Sequence, residues 1–209
     1  MEITINSSTQ PLHVLPTNEH PAPIKALEIL IQQGMHTLSE CLHHEWPQYE
    51  HQEENEIPEA NLTIHISHSF LRQDYCVYPE YPADNKGRYD IVLFHPKQPE
   101  YVIVECKRFL KFNKENNINI DFKRMLDQKM LKPSIGILIT MTRYKEISDW
   151  WVNYNRNPKP KRKSSKNWED LSTMLTETRA IVGHAPLTTK KDNSSDYFHE
   201  ALYAIFKIP

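Results

Sequence analysis

The sequence predicts an α/β protein in which helices flank a mixed sheet, with a core order of α-β-β-β-α-β. Two runs rich in β-branched and aromatic residues, 87–94 and 101–107, are separated by a break at 96–99 and predict an antiparallel hairpin. A third run, 134–140, is apolar with almost no interruption, which is typical of a strand covered on both faces. Apolar residues before and between these runs recur at helical spacing.

Length and composition indicate one globular domain. The chain has 209 residues, of which 39% are hydrophobic and 25% are charged, and this is enough to bury a core. We expect a flexible arm over 1–20 and a single domain over 21–209, with its core at about 56–142. The four glycines are not clustered, which excludes the glycine-rich phosphate loops of nucleotide-binding proteins.

Composition also bears on location. The first eight residues are polar and no apolar run approaches membrane-spanning length, so we expect neither secretion nor a membrane partner. The cysteines Cys41, Cys76 and Cys106 are odd in number and lack metal-ligand spacing. They indicate reduced thiols in a cytoplasmic protein.

Two helices and a strand are expected before the hairpin. Apolar residues at helical intervals predict a first helix that begins near Ile24 and ends before Pro47. Residues 58–73 fit both the helical and the strand period. We favour a helix there, because a helix followed by a strand over 75–81 gives the core order stated above.

After the hairpin, residues 121–131 predict a helix that leads into the buried strand. The rest of the chain is expected to be a helical extension. It has helical patterns at 146–154 and 168–181, a basic segment at 156–166 and an amphipathic segment at 197–206.

The hairpin carries charges that packing alone does not require. Side chains alternate along a strand, so Glu105 and Lys107 lie on one face and Cys106 on the other. If the register places Asp90 beside Glu105, two carboxylates and an ammonium converge on one side of the sheet. An apolar hairpin has no use for this combination, whereas an enzyme that hydrolyses phosphodiesters does.

The acidic residues on the two strands resemble the signature of a known family. Asp90, followed on the next strand by Glu105-Cys106-Lys107, resembles the PD-(D/E)xK nuclease superfamily, a group of restriction-endonuclease-like phosphodiesterases. The segments 78–82 and 87–90 are similar to the strand and turn that precede the first acidic ligand in many members. The resemblance implies a restriction-endonuclease-like α-β-β-β-α-β core.

The chain departs from the family pattern at two places. Tyr89 precedes Asp90 where the nominal motif has proline. Gln128 is followed four residues later by Lys132 rather than by tyrosine, so the RecB-like branch is not supported.

The resemblance implies a metal-dependent DNA endonuclease of the restriction or defence type. Its cofactor would be Mg²⁺, for which Mn²⁺ can substitute, and its ligands would be Asp90, Glu105 and the backbone carbonyl of Cys106. Mg²⁺ held by oxygen ligands activates water and neutralises charge in the transition state. Lys107 would orient the attacking water or place positive charge on the scissile phosphate.

Two further acids are candidates for the site. The resemblance implies a role for Glu80, at the end of the preceding strand, and for Glu59, early in the helix. The alternative for each is a surface carboxylate. The alternative for Asp90, Glu105 and Lys107 is a salt-bridged polar face of the hairpin.

The basic segment 156–166 is a candidate DNA contact. Lysine and arginine near phosphates release counterions and give affinity with little sequence information. The alternative is a solvated loop. The six basic residues are Arg156, Lys159, Lys161, Arg162, Lys163 and Lys166. Four more basic residues either extend this track or are solvated helix charges: Arg108, Lys111, Lys123 and Arg124.

Three classes of function compete. The leading hypothesis is the DNA endonuclease, for which a homodimer is one expected assembly because cutting a duplex often uses two symmetric sites. The second is a non-catalytic nucleic-acid-binding or regulatory module that keeps the nuclease fold. The third is an interaction protein in which the hairpin charges only pair with one another.

Overall fold

The computed structural model of the chain describes residues 23–45, 59–83, 87–109, 118–156, 166–192 and 195–209. The predicted N-terminal arm lies outside these ranges. So do four residues of the basic segment, Lys159, Lys161, Arg162 and Lys163, as well as Lys111.

Within these ranges, six strands form one mixed sheet in the order β1-β2-β3-β4-β6-β5. The strands are β1 (Cys76–Pro82), β2 (Arg88–Phe94), β3 (Tyr101–Arg108), β4 (Ser134–Thr142), β5 (Ile181–Asp192) and β6 (Ser195–Ile208). The helices are α1 (Pro23–Glu45), α2 (Glu59–Leu71), α3 (Ile118–Leu126), α4 (Lys145–Trp151) and α5 (Lys166–Glu177). None of the helices in the described ranges is both long enough and apolar enough to cross a membrane.

The predicted mixed sheet flanked by helices is confirmed. The hairpin of β2 and β3 is antiparallel, whereas β3 and β4 run parallel and are connected through α3. Parallel neighbours need such a crossover because the chain must return to the same end of the sheet. The favoured helix over 58–73 is also confirmed, since α2 buries Leu62, Ile66 and Phe70 along one side.

Each face of the sheet is covered by its own helices. Side chains of α1 and α2 pack with Ile91, Val104 and Cys106 on one face. Side chains of α3, α4 and α5 pack with Val92 and Ile103 on the other. Every residue of β4 is buried, as expected for a strand covered on both sides.

The C-terminal part differs from the helical extension that the sequence predicts. It contains α4 and α5, but residues 181–208 form β5 and β6, and β6 pairs with β4 inside the sheet. The segment 199–206 is buried on both faces, so its apolar pattern lacks the period that distinguishes a strand from a helix.

The position of β6 also places α3. A Cβ atom on Gly136 of β4 would lie 2.4 Å from Phe206, so only glycine leaves room for that ring. Phe206 in turn stacks on Phe122 of α3, with 4.3 Å between the ring centroids. This packing holds α3 against the sheet face that carries Glu105.

Candidate active site

The candidate site lies where β2 and β3 part. Their ladder runs from Phe94 opposite Tyr101 to Ile91 opposite Val104 and stops there. The strand β3 continues through Arg108, paired with β4 on its other side. Residues 105–108 therefore have a partner strand on one side only, and their backbone on the open side needs other hydrogen-bond partners.

Two carboxylates take the place of the missing strand. The N–H of Cys106 donates to Oδ2 of Asp90 at 2.7 Å, and the N–H of Arg108 donates to Oε1 of Glu59 at 2.8 Å. The N–H and C=O of one strand residue point to the same side. The Cys106 carbonyl therefore also faces the unpaired side of residues 105–108, which we call the opening. The thiol of Cys106 is buried in the core beneath α1 and α2.

Glu105 is the most buried acid of the site. Its exposed fraction is 0%, and Nη2 of Arg124 lies 2.5 Å from its Oε1. Its Oε2 atom has no hydrogen-bond partner among the described residues. An unsatisfied buried oxygen costs about 1–3 kcal/mol, and more when the group is charged. A ligand that binds this oxygen would remove that cost.

The helix α3 adds an acid and a base to the site. Oδ1 of Asp121 lies 2.8 Å from Nη2 of Arg124 in an ion pair, and its Oδ2 lies 3.6 Å from Nζ of Lys107. Four carboxylates from four elements thus surround the opening, and we call them the acidic cluster: Glu59, Asp90, Glu105 and Asp121. Three bases accompany them: Lys107, Arg108 and Arg124.

Burial, reinforced by neighbouring carboxylates, raises the pKa of both Glu105 and Asp90. Burial, reinforced by the charge of Asp90, raises the pKa of Glu105 to about 8 although Arg124 opposes the shift. Burial also raises the pKa of Asp90, against the Cys106 N–H and the charge of Lys107. Asp90, Glu105 and Lys107 are therefore close enough to perturb one another, as the hairpin geometry predicts.

Five of the residues singled out in the sequence lie together at this opening: Glu59, Asp90, Glu105, Cys106 and Lys107. Glu80 does not join them. Its backbone has a φ of 53°, and its side chain is 64% exposed and lies 3.7 Å from Arg88. Arg156 and Lys166, at the two ends of the basic segment, are exposed. The roles assigned to all these residues stay predictions.

The sequence does not single out Asp121, and it predicts Arg124 to be either part of the DNA-contact track or a solvated helix charge. The structure turns Arg124 inward, where its side chain is 18% exposed. The signal in the sequence is an acid and an arginine three residues apart on the helix after β3. That spacing shows that they share a helix face, but not that this face meets Glu105.

The oxygen ligands present suit a magnesium ion. No group of three or more His, Cys, Asp and Glu side chains within the described ranges is arranged to hold a metal on its own. Mg²⁺ usually binds through one or two carboxylates and keeps several waters. Asp90, Glu105 and the Cys106 carbonyl supply that number of oxygens, and Oε2 of Glu105 has no partner among the described residues. The residues therefore fit this ion.

Comparison of the chain with protein-family models, with curated proteins and with solved structures gives no match. The site must therefore be interpreted from its own residues. Its central features are the acidic cluster, the buried and half-paired Glu105, and the lysine beside them.

Proposed function

We propose that this chain is a Mg²⁺-dependent endonuclease that hydrolyses phosphodiester bonds in DNA, of the restriction or defence type. The observation that carries the proposal is Glu105, a fully buried carboxylate with one oxygen unpaired, beside Asp90 and Lys107. Packing alone does not favour such a group, whereas a cation bound to it would balance the charge.

The arrangement of elements supports the resemblance to PD-(D/E)xK nucleases. The elements α2, β1, β2, β3, α3 and β4 follow one another in the restriction-endonuclease-like order. Asp90 and Glu105 lie on adjacent antiparallel strands at the point where these strands separate. Glu59 at the start of α2 reaches the same opening, as the resemblance implies for an acid donated by a helix.

Each residue has a defined role in this proposal. Asp90, Glu105 and the Cys106 carbonyl would hold Mg²⁺. When bound, the ion lowers the pKa of a coordinated water and neutralises negative charge. Glu59 and Asp90 keep the end of β3 in place by accepting its N–H groups.

Lys107 acts as a cation and hydrogen-bond donor rather than as a base. Burial alone would lower its pKa, but the carboxylates of Asp121, Asp90, Glu59 and Glu105 outweigh burial and raise it. The side chain is therefore an ammonium at neutral pH. It can donate to the attacking water or to an oxygen of the scissile phosphate.

The preference for DNA is supported by the basic segment. Its two end residues, Arg156 and Lys166, are exposed. They lie next to α4 and α5, which pack on the same sheet face as Glu105. Basic side chains in this position would bind the phosphate backbone with a strong salt dependence. Two copies of the chain would be needed for paired cuts in the two strands.

A plasmid assay tests the proposal directly. Purified protein is incubated with supercoiled plasmid and Mg²⁺, and nicked and linear products are measured over time. We expect cleavage by the wild type. The cleavage rate should fall at least about 100-fold in Asp90→Asn, Glu105→Gln and Lys107→Met, because each variant loses a charged metal ligand or the cation beside the scissile phosphate.

The matched control is Asp149→Asn, which removes one carboxylate from an exposed ion pair with Lys145 on α4. It should cleave at the wild-type rate. The absence of cleavage by the wild type with Mg²⁺ or Mn²⁺, or equal cleavage by Lys107→Met, would contradict the proposal.

The second candidate is a nucleic-acid-binding module without catalysis, and one observation favours it. Arg124 already forms ion pairs with both Glu105 and Asp121, as in a structural ion-pair network. In that case calorimetry should detect DNA binding but no binding of Mg²⁺ or Mn²⁺ by the wild type. Metal binding that depends on Asp90 and Glu105 would exclude this candidate.

A further inference from the structure

Arg124 lies beside the position from which a cation would bind the unpaired Oε2 of Glu105. A single nitrogen, Nη2, lies 2.5 Å from Oε1 of Glu105 and 2.8 Å from Oδ1 of Asp121. A divalent ion on Glu105 would lie within a few ångströms of this guanidinium, and two cations at that distance repel strongly in a buried site. Arg124 and the ion are therefore competitors for the same carboxylate.

The contacts of Arg124 allow its guanidinium to leave Glu105. Its Nε atom is buried without a hydrogen-bond partner among the described residues, so one of the five N–H donors of the guanidinium makes no hydrogen bond there. Its side chain is partly exposed, and Gly87 beside it has no side chain to confine it, since a Cβ atom there would lie 3.4 Å from Cδ of Arg124. Asp121, one turn before Arg124 on α3, would still hold the guanidinium after it leaves Glu105.

Resting on the proposed function, we propose that Arg124 is an exchangeable counter-ion that sets the metal affinity of the site. It pairs with Glu105 in the cation-free protein, and a divalent cation displaces it from Glu105 while Asp121 retains it. The guanidinium is then free to meet a phosphate, for which its planar fork is well suited. Arg124 is a positioning residue here, because it acts through Glu105.

Calorimetry with Mg²⁺ alone tests the competition. The wild type, Arg124→Gln and the control Lys145→Gln are titrated at about pH 9, where protons compete least for the carboxylates. We expect Arg124→Gln to bind Mg²⁺ at least about tenfold more tightly than the wild type, because a competing charge has been removed. Lys145→Gln removes one positive charge from an exposed position on α4 and should leave the affinity unchanged.

The outcomes separate this inference from the proposed function. Equal affinity of wild type and Arg124→Gln would overturn the role of Arg124 and leave the nuclease proposal standing. Binding by Arg124→Gln but not by the wild type would support the role of Arg124 and overturn metal-dependent catalysis by the native chain. Binding by neither protein would overturn both.

A second measurement uses the wild type and does not depend on the folding of a variant. The side-chain N–H signals of Arg124 are followed by NMR during a Mg²⁺ titration, with KCl of the same ionic strength as the control. We expect these signals to shift and to exchange faster with water, with the midpoint found by calorimetry. Signals that stay unchanged when Mg²⁺ is saturating would contradict the displacement of Arg124 from Glu105 by the ion.

Discussion

Glu105 sits at the centre of the site because β3 turns it away from Cys106 and toward α3. Its side chain is fully buried, and its carboxyl group has one close ion-pair partner, Arg124. The alternation of side chains along a strand made this direction predictable. The identity of the partner was not, since Arg124 is fixed on Glu105 by the rotation of α3 about its own axis.

The raised pKa of Glu105 predicts a pH-dependent stability in the metal-free protein. The folded-state pKa of about 8 lies above the ordinary value of 4.5, so the folded chain binds the extra proton between these values. Stability linked to Glu105 is complete below the ordinary value and is lost as pH rises through about 8. We expect the melting temperature to fall more steeply between about pH 5 and pH 9 in the wild type than in Glu105→Gln.

The measurement is a set of thermal melts in the presence of a chelator. The control Asp149→Asn lacks an exposed carboxylate and should keep the wild-type slope. If Glu105→Gln has the same slope as the wild type, the proton is not bound at Glu105.

At the scale of elements, the site is an interruption in a sheet. Where β2 leaves β3, carboxylates from β2 and from the first turn of α2 accept the exposed N–H groups of β3. Asp90 and Glu59 therefore have a structural role, and Asp90 has it in addition to the metal-binding role proposed for it. Substitutions must separate the two roles.

Glu59 allows that separation. Its Oε1 accepts the N–H of Arg108 at 2.8 Å, and a glutamine keeps an oxygen acceptor of the same reach without the charge. We expect Glu59→Ala to lower the free energy of unfolding by about 1–3 kcal/mol, because it leaves that N–H unpaired. Glu59→Gln should lose less than half as much.

Chemical denaturation of the two variants measures this difference. Equal losses in both would show that the charge of Glu59, and not its hydrogen bond, stabilises the end of β3. If Glu59→Gln is stable, its plasmid cleavage rate then reports the contribution of the charge to catalysis alone.

At the scale of the whole molecule, an apolar core lies on each face of the sheet, and the acidic cluster lies at the end of β3 between α2 and α3. Helices α1 and α2 cover one face, and α3, α4 and α5 cover the other. The C-terminal strand β6 completes the sheet beside β4 and packs Phe206 against α3. The C-terminal strand therefore contributes to the position of Asp121 and Arg124.

Metal binding should stabilise this whole unit. A ligand at about ten times its dissociation constant adds about 1.4 kcal/mol, which for a chain of this size raises the melting temperature by about 3–6 °C. We expect this rise for the wild type in Mg²⁺ relative to KCl of equal ionic strength. Asp90→Asn and Glu105→Gln should show no such rise, and a rise of the same size in either would place the ion elsewhere.

The sequence by itself determined the local features: the strands and helices up to β4, and the convergence of Asp90, Glu105 and Lys107 on one hairpin. These depend on side-chain alternation and helical spacing over a few residues, which neighbouring residues set. Only the tertiary structure decided that Arg124 faces Glu105, that Glu80 turns away to Arg88, and that the C-terminal segment becomes β6. The first and the last depend on packing between residues far apart in the chain, and the second on an exposed ion pair between neighbouring strands. In each case a local pattern allows more than one outcome.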